Sequence, residues 1–459
     1  MKLRAALFLA GLLWPGMVAA VEPPALASCP PGLPATTQCW RGQDANGAFL
    51  LLARPENWHG GLVTHVYGGP RMSAPAADST DEDLLRYSEY LAEGWAWVST
   101  SRRRAGFGIR SGGEDSLAAR RIAGEVLGPI RFSLLHGQSW GGAVAAKAIE
   151  TLNEPGPEGT RPWQAALLTS AVLAGPTRAY DMRVDLRAAY QAICGTHPRP
   201  EEPQYVVTLG LARGQRMTRE ELMSRYLACT GADLAPEART PAQRRALADL
   251  SAASRVPEAA IPAHLVWATT VFADIGWRLM EGRSAFGNRD VQYAGTSDDV
   301  GLNARIPRIV ADSGAVERLA SDGDPTGIVA IPVLTLHGIG DMTVFVEHQS
   351  AYRETLERAG NGHLLVQVFT DEIEHSKLSG PIYAAAAAAL RGWAETRRRP
   401  GAAELQGRCE ASPITTLGPC RIVPDYRPQP WEARVNPRGG APAEAVAARH
   451  EPPLRSPQR

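Results

Sequence analysis

The chain has 459 residues, with 48 lysines and arginines against 48 aspartates and glutamates, a formal net charge of zero. Hydrophobic residues make up 44% and charged residues 21%, ordinary globular usage that excludes a collagen, a coiled coil, a polytopic membrane protein and a wholly disordered chain. The zero balance also excludes a general polyanion binder, which needs a basic excess to neutralise phosphates, so no nucleic-acid partner is expected.

The chain opens as a secretory signal does. Lys2 and Arg4 form a positive region, and residues 5–13 form an apolar stretch. That stretch is shorter than the about 20 residues a bilayer span needs. Trp14-Pro15-Gly16 closes it, and Val18-Ala19-Ala20 offers small residues for cleavage after Ala20. Residues 1–20 therefore read as a signal peptide and the mature chain as secreted or periplasmic. No later uninterrupted apolar run reaches spanning length, so no integral membrane span is expected after cleavage. A competing reading is a lipoprotein site at Leu26-Ala27-Ser28-Cys29. It lies far from the apolar stretch, and lipidating Cys29 would strand Cys39 as an odd thiol.

Six cysteines fall into three close pairs: Cys29/Cys39, Cys194/Cys229 and Cys409/Cys420. An even count in an exported chain predicts disulfides, and the spacing favours nearest-neighbour pairing.

Short apolar runs alternate with helical patterns, which predicts a mostly parallel sheet with helices on both faces. Strands are expected at 49–53, 61–67, 95–100, 132–136, 165–171, 331–337 and 363–369. Helices are expected at 81–92, 113–127, 140–152, 346–359 and 381–396. The rhythm breaks once, over 176–326, which has helical patterns and its own cysteine pair and reads as a lid or cap insertion. The domain reading is thus a first core segment 21–175, the insertion 176–326, a second core segment 327–397, and a C-terminal extension 398–459. That extension holds the Cys409–Cys420 loop, and after Val423 it reads as a flexible tail.

Gly137-Gln138-Ser139-Trp140-Gly141 fits G-x-S-x-G, after an apolar run and before a small-residue helix with Ala143, Ala145, Ala146 and Ala148. That strand–turn–helix context is what the motif requires, and the helix N-terminus favours developing negative charge. At these residues the chain resembles the α/β-hydrolase superfamily, in which the order is nucleophile, acid, histidine. The resemblance implies a mostly parallel central sheet with flanking helices and Ser139 as nucleophile. It also implies Asp341, in His337-Gly338-Ile339-Gly340-Asp341-Met342-Thr343-Val344, as the acid, and His375, past the next strand, as the base. Asp371 and Glu374 are rivals for the acid. A serine hydroxyl is a poor nucleophile until an imidazole takes its proton, and a carboxylate fixes the imidazole's tautomer.

Attack creates an oxyanion that needs preplaced donors. The Trp140 backbone N–H is one candidate. The loop His65-Val66-Tyr67-Gly68-Gly69-Pro70 looks like that of the prolyl oligopeptidase and dipeptidyl peptidase branch, where a tyrosine hydroxyl, here Tyr67, is the second donor. Other branches use a backbone N–H, for which Gly68 and Gly69 are candidates. There is no room for that branch's β-propeller, and it lacks the 176–326 insertion.

Trp267, Phe272, Trp277, Met280 and Phe286 in the insertion read first as its own core. Asp298-Asp299 and Glu201-Glu202 read as solvated acids before they read as binders of a peptide amine. Arg102-Arg103-Arg104 reads as a solvated loop before it reads as an attractor of acidic substrates. No metal-ligand, P-loop or dinucleotide pattern occurs, so no cofactor or metal is expected. The expectation is an exported serine hydrolase of carboxylic esters, acting through an acyl-enzyme on a small-molecule or short peptide substrate and needing no obligate protein partner. Two alternatives stay open: a serine exopeptidase of the proline iminopeptidase or prolyl oligopeptidase kind, and a non-catalytic binding protein on the same scaffold.

Overall fold

The structure, a computed structural model, describes residues 22–439 apart from Lys377. The signal-peptide reading of residues 1–20 lies outside the described residues, as does the end of the expected tail from residue 440.

Nine strands form one sheet: β1 Ala25–Ala27, β2 Gln38–Gln43, β3 Phe49–Arg54, β4 Gly61–Val66, β5 Ala96–Thr100, β6 Phe132–Gln138, β7 Ala165–Thr169, β8 Val333–Gly338 and β9 Leu365–Thr370. Their order is β1-β2-β3-β5-β4-β6-β7-β8-β9. From β5 to β9 every pairing is parallel, whereas β1, β2 and β3 pair antiparallel at one side. All seven expected strands are present. The antiparallel pair β1–β2 is added at the edge and clamped by the Cys29–Cys39 disulfide.

Alternation along the strands divides their side chains between two cores, as the two-residue period of a strand requires. Leu50 and Leu52 of β3 join Leu62, Val98 and the helix Ile109–Leu127 on one face. Leu51 and Ala53 join Val63, Leu134, Leu167, Leu334 and the helix Gly380–Thr396 on the other. That second helix is alanine-rich and almost wholly buried, so it lies close against the sheet. The expected helix over 81–92 is two pieces, Asp81–Arg86 and Glu89–Ala92.

Between β7 and β8 the described chain is helical, with main helices Asp181–Cys194, Arg219–Thr230, Pro241–Ser254 and Ile261–Ala273. The Cys194–Cys229 disulfide staples the first two. The run Glu258–Leu279 has the length and apolarity of a membrane span, but 56% of its most apolar window is buried inside the molecule. Phe272, Met280 and Phe286 are buried here, as the core reading expects. The insertion is clamped onto the sheet domain. Asp274 accepts the Phe107 N–H at 2.7 Å, and Asp322 accepts the Ile109 N–H at 2.9 Å.

Beyond the Cys409–Cys420 disulfide, the flexible-tail expectation after Val423 needs correction for residues 424–439. Trp431 and Val435 are buried, with Trp431 4.6 Å from the ring of His348. Asn436 donates to Asp185 at 2.9 Å, and Arg438 pairs with Asp185 and Asp181 at 3.0 and 2.8 Å. Arg434 pairs with Glu347 at 2.9 Å. Two isolated apolar residues among prolines carry no periodicity, so the sequence shows no sign of this docking. The segment is a strap joining the insertion to the helix His348–Arg358.

Buried imidazoles limit acid stability. Burial pushes His136 and His264 down to about 3 and His197 to about 2. Below an unfolded value near 6.5 the unfolded chain binds more protons than the folded one, so stability falls as pH drops. The slope approaches about 1.4 kcal/mol per pH unit for each histidine. Burial raises Asp181 to about 6 and also raises Asp83, Glu89, Asp115, Glu150 and Asp185, which act in the opposite sense at lower pH. His59, His65, His337 and His348 are lowered and add to the histidine effect from pH 6.5 downward. The thermal midpoint is therefore expected to fall steadily from pH 7 to pH 4. A flat or rising midpoint in scanning calorimetry would contradict these assignments.

Candidate active site

Ser139 occupies a sharp turn between β6 and the helix Trp140–Thr151, with φ 57° and ψ −124°. A positive φ is strained for a residue with a Cβ, at a cost of about 1–3 kcal/mol. The surroundings impose it. The Ser139 N–H donates to Thr169 O at 2.8 Å, and its carbonyl accepts from Gly142 and Val172 at 3.0 and 3.1 Å. The glycines are steric necessities. A Cβ on Gly141 would lie 2.1 Å from Val66 O, and one on Gly142 would lie 2.2 Å from the Ala171 Cβ.

Asp341 and His375 arrive on loops after β8 and β9, which are laced together. Ile339 N–H donates to Thr370 O at 2.8 Å, and a Cβ on Gly338 would lie 2.7 Å from Glu372 O. The three expected side chains meet. His375 Nε2 lies 2.8 Å from Ser139 Oγ, and His375 Nδ1 lies 2.7 Å from Asp341 Oδ2. The other Asp341 oxygen accepts the Thr343 and Val344 N–H groups at 2.8 and 3.0 Å. Burial alone would raise this carboxyl's pKa. The His375 hydrogen bond and charge outweigh burial and hold it below the usual carboxylate value. Asp371, a rival acid in sequence, instead pairs with Arg421 at 2.6 Å.

The serine turn follows a central strand, the acid and imidazole follow the later strands β8 and β9, and the strand order reverses between β4 and β6. The fold is that of the α/β-hydrolases. No family model matches the sequence, and no curated protein matches it. Among solved structures the chain is similar to feruloyl esterase B from Aspergillus oryzae, at 12% identity and TM-score 0.39, over 83% of this chain and 88% of that one. It is similar to another esterase from Aspergillus oryzae, at 10% identity and TM-score 0.42, over 83% and 87%. It is also similar to Candida antarctica lipase A in its closed state, at 14% identity and TM-score 0.42, over 84% and 89%.

The loop after β4 is pressed against the serine. A Cβ on Gly68 would lie 2.4 Å from Gln138 Oε1 and 3.1 Å from Ser139 Cβ. Gly69 adopts φ +67° and completes the turn. Trp140 opens its helix, where the first N–H groups have no intrahelical acceptor. The hydroxyl expectation for Tyr67 needs correction. Its one proton is donated to Ser101 O at 2.8 Å, inside the protein. The tyrosine therefore anchors the loop instead of facing the serine.

Arg102, which the sequence places in a solvated loop, is buried and holds the same turn. It donates to Tyr67 O at 2.5 Å and to Gly69 O at 3.1 Å. Its guanidinium carbon lies 3.7 Å from the Tyr67 ring centroid and 4.6 Å from that of Trp140. Arg103 pairs with Asp115 and Glu114. His337, at the end of β8, stands 3.7 Å behind Asp341, and His136 lies under the sheet on Thr169. Sequence reasoning also missed Arg183 and His264 of the insertion. His264 Nε2 meets the carbonyl of Met342, next to Asp341, at 3.0 Å.

Proposed function

We propose that this chain is an exported serine hydrolase that cleaves carboxylic esters. The observation that carries the reading is the hydrogen-bonded series Ser139–His375–Asp341 on three separate loops. A carboxylate only accepts, so His375 Nδ1 bears the proton and Nε2 presents its lone pair to the Ser139 hydroxyl. Ser139 Oγ attacks the ester carbonyl while His375 takes its proton, and the imidazolium is stabilised by Asp341. The oxyanion is held by the Trp140 N–H and backbone N–H groups of the Gly68–Gly69 turn. Collapse expels the alcohol, protonated by His375, and leaves an acyl-enzyme. Water, activated by the same imidazole, then releases the acid.

Esters are favoured over aminopeptidase substrates because the acids that sequence offered for a peptide amine are engaged elsewhere. Glu202 accepts twice from Arg225, at 2.8 and 2.6 Å. Asp298 caps Gly301 N–H, and Asp299 caps Gly295 and Thr296. Glu201 is exposed on the surface. The 176–326 segment is proposed as the cap that walls the substrate space. Three disulfides support an oxidising compartment, outside the cytosol.

A panel of p-nitrophenyl esters and aminoacyl p-nitroanilides tests the reaction class. The esters are expected to give kcat/KM at least about 100-fold above the anilides, since the acids that could hold a peptide amine are engaged elsewhere. A preference for anilides would replace the esterase reading with the exopeptidase one.

A further inference from the structure

The insertion carries a buried cation with no carboxylate partner among the described residues. Arg183, on helix Asp181–Cys194, is 8% exposed. Its Nε donates to His264 Nδ1 at 3.1 Å, and its guanidinium carbon lies 4.8 Å from the ring centroids of both Tyr180 and Trp267. Arg225 has Glu202 and Glu221, and Arg102 has two carbonyls. Arg187, one turn on, also has no carboxylate among the described residues. It donates to the Tyr205 hydroxyl at 2.8 Å, while its Nε and one η nitrogen find no partner, but at 0% exposure it is closed to a ligand.

Arg183 stands between the loops that carry the triad. On one side His264 reaches the carbonyl of Met342, the residue after Asp341, at 3.0 Å. On the other the Tyr180 ring is 6.3 Å from Phe107, whose ring is 5.3 Å from Trp140, the residue after Ser139. With Nε donating to His264 and the Tyr180 hydroxyl hydrogen-bonded to the guanidinium, the remaining N–H groups are the part left for a ligand. Burial lowers the pKa of Arg183, and the one side chain acting to raise it is Tyr180. Burying an unpaired charge costs stability, and a fork held by two rings and a histidine is pre-oriented for a planar anion.

We propose that Arg183 anchors a free carboxylate carried by the substrate, so that the preferred esters bear a second, unesterified acid group. This rests on the serine-hydrolase reading above. It assigns the cap a selective role, because a neutral ester leaves the guanidinium unanswered.

The test uses two matched pairs. One is 4-nitrophenyl hydrogen adipate against its methyl ester, with the anion on the acyl side. The other is 4-carboxyphenyl butyrate against its methyl ester, with the anion on the leaving group. In at least one pair kcat/KM is expected to be about tenfold or more higher for the free acid. Arg183→Gln should bring that ratio to about one, and Arg183→Lys, which keeps the charge and loses the fork, should fall between. Ratios at or below one in both wild-type pairs, or a ratio that survives Arg183→Gln, would overturn the proposal. The wild-type ratios decide even where a variant does not fold. Calorimetry of monomethyl against dimethyl adipate on Ser139→Ala reads the subsite without turnover. Selective binding of the monoacid supports the subsite even if no ester is cleaved, and equal or absent binding counts against it. Turnover of the neutral esters reads the hydrolase reading separately.

Discussion

Ser139→Ala is expected to abolish labelling by a fluorophosphonate probe and to lower kcat on a p-nitrophenyl ester by about 100,000-fold. The hydroxyl lies 2.8 Å from His375 Nε2, so its removal deletes the proposed nucleophile outright. His375→Ala is expected to cost a similar factor, and the double variant little more, because the two side chains act as one unit. Neither change touches the backbone bonds that set the turn, so circular dichroism and the thermal midpoint should stay near wild type. Labelling that survives in Ser139→Ala would place the nucleophile elsewhere and dismantle the mechanism.

Asp341→Asn is expected to lower kcat by about 10,000-fold while the protein stays folded. The asparagine carbonyl can still accept the Thr343 and Val344 N–H groups, so the loop is retained. Its amide, however, presents N–H to His375 Nδ1. That inverts the tautomer and turns Nε2 into a donor facing a hydroxyl that must donate to it. Stopped-flow acylation kinetics would measure the loss. A fall below about tenfold would mean that the carboxylate does not orient the base.

The sequence displayed the strands of the parallel sheet because most are short, largely apolar runs walled by helices on both faces, as in Ala165 to Leu168. β2 escaped notice because Gln38, Arg41 and Gln43 leave it half-exposed beside the short edge strand β1, with no apolar run to mark it. The loops bearing Ser139, Asp341 and His375 were legible because turn chemistry and chain order constrain them together. The Tyr67 hydroxyl was not, since which way a phenol points depends on Arg102 and Ser101, and Ser101 lies 34 residues away in the chain. Arg183 was hidden for a different reason. Asp181, Arg183, Asp185 and Arg187 look like solvated charges spread around a helix, yet Met182 to Tyr190 are all buried. Nothing in a single helix shows that its polar face is covered by another segment.

The strap over residues 424–439 also bears on the order in which this chain can reach its final state. Asp185 is enclosed early in the insertion, but Asn436, which answers it, lies 251 positions downstream, and Arg438 follows. Within the insertion, among the described residues, Asp185 is met by the Tyr293 hydroxyl at 2.9 Å, and a positive charge reaches it only when residues 436–438 dock. A nick just before Trp431 would undo a region more than 200 residues away in sequence while leaving the sheet intact.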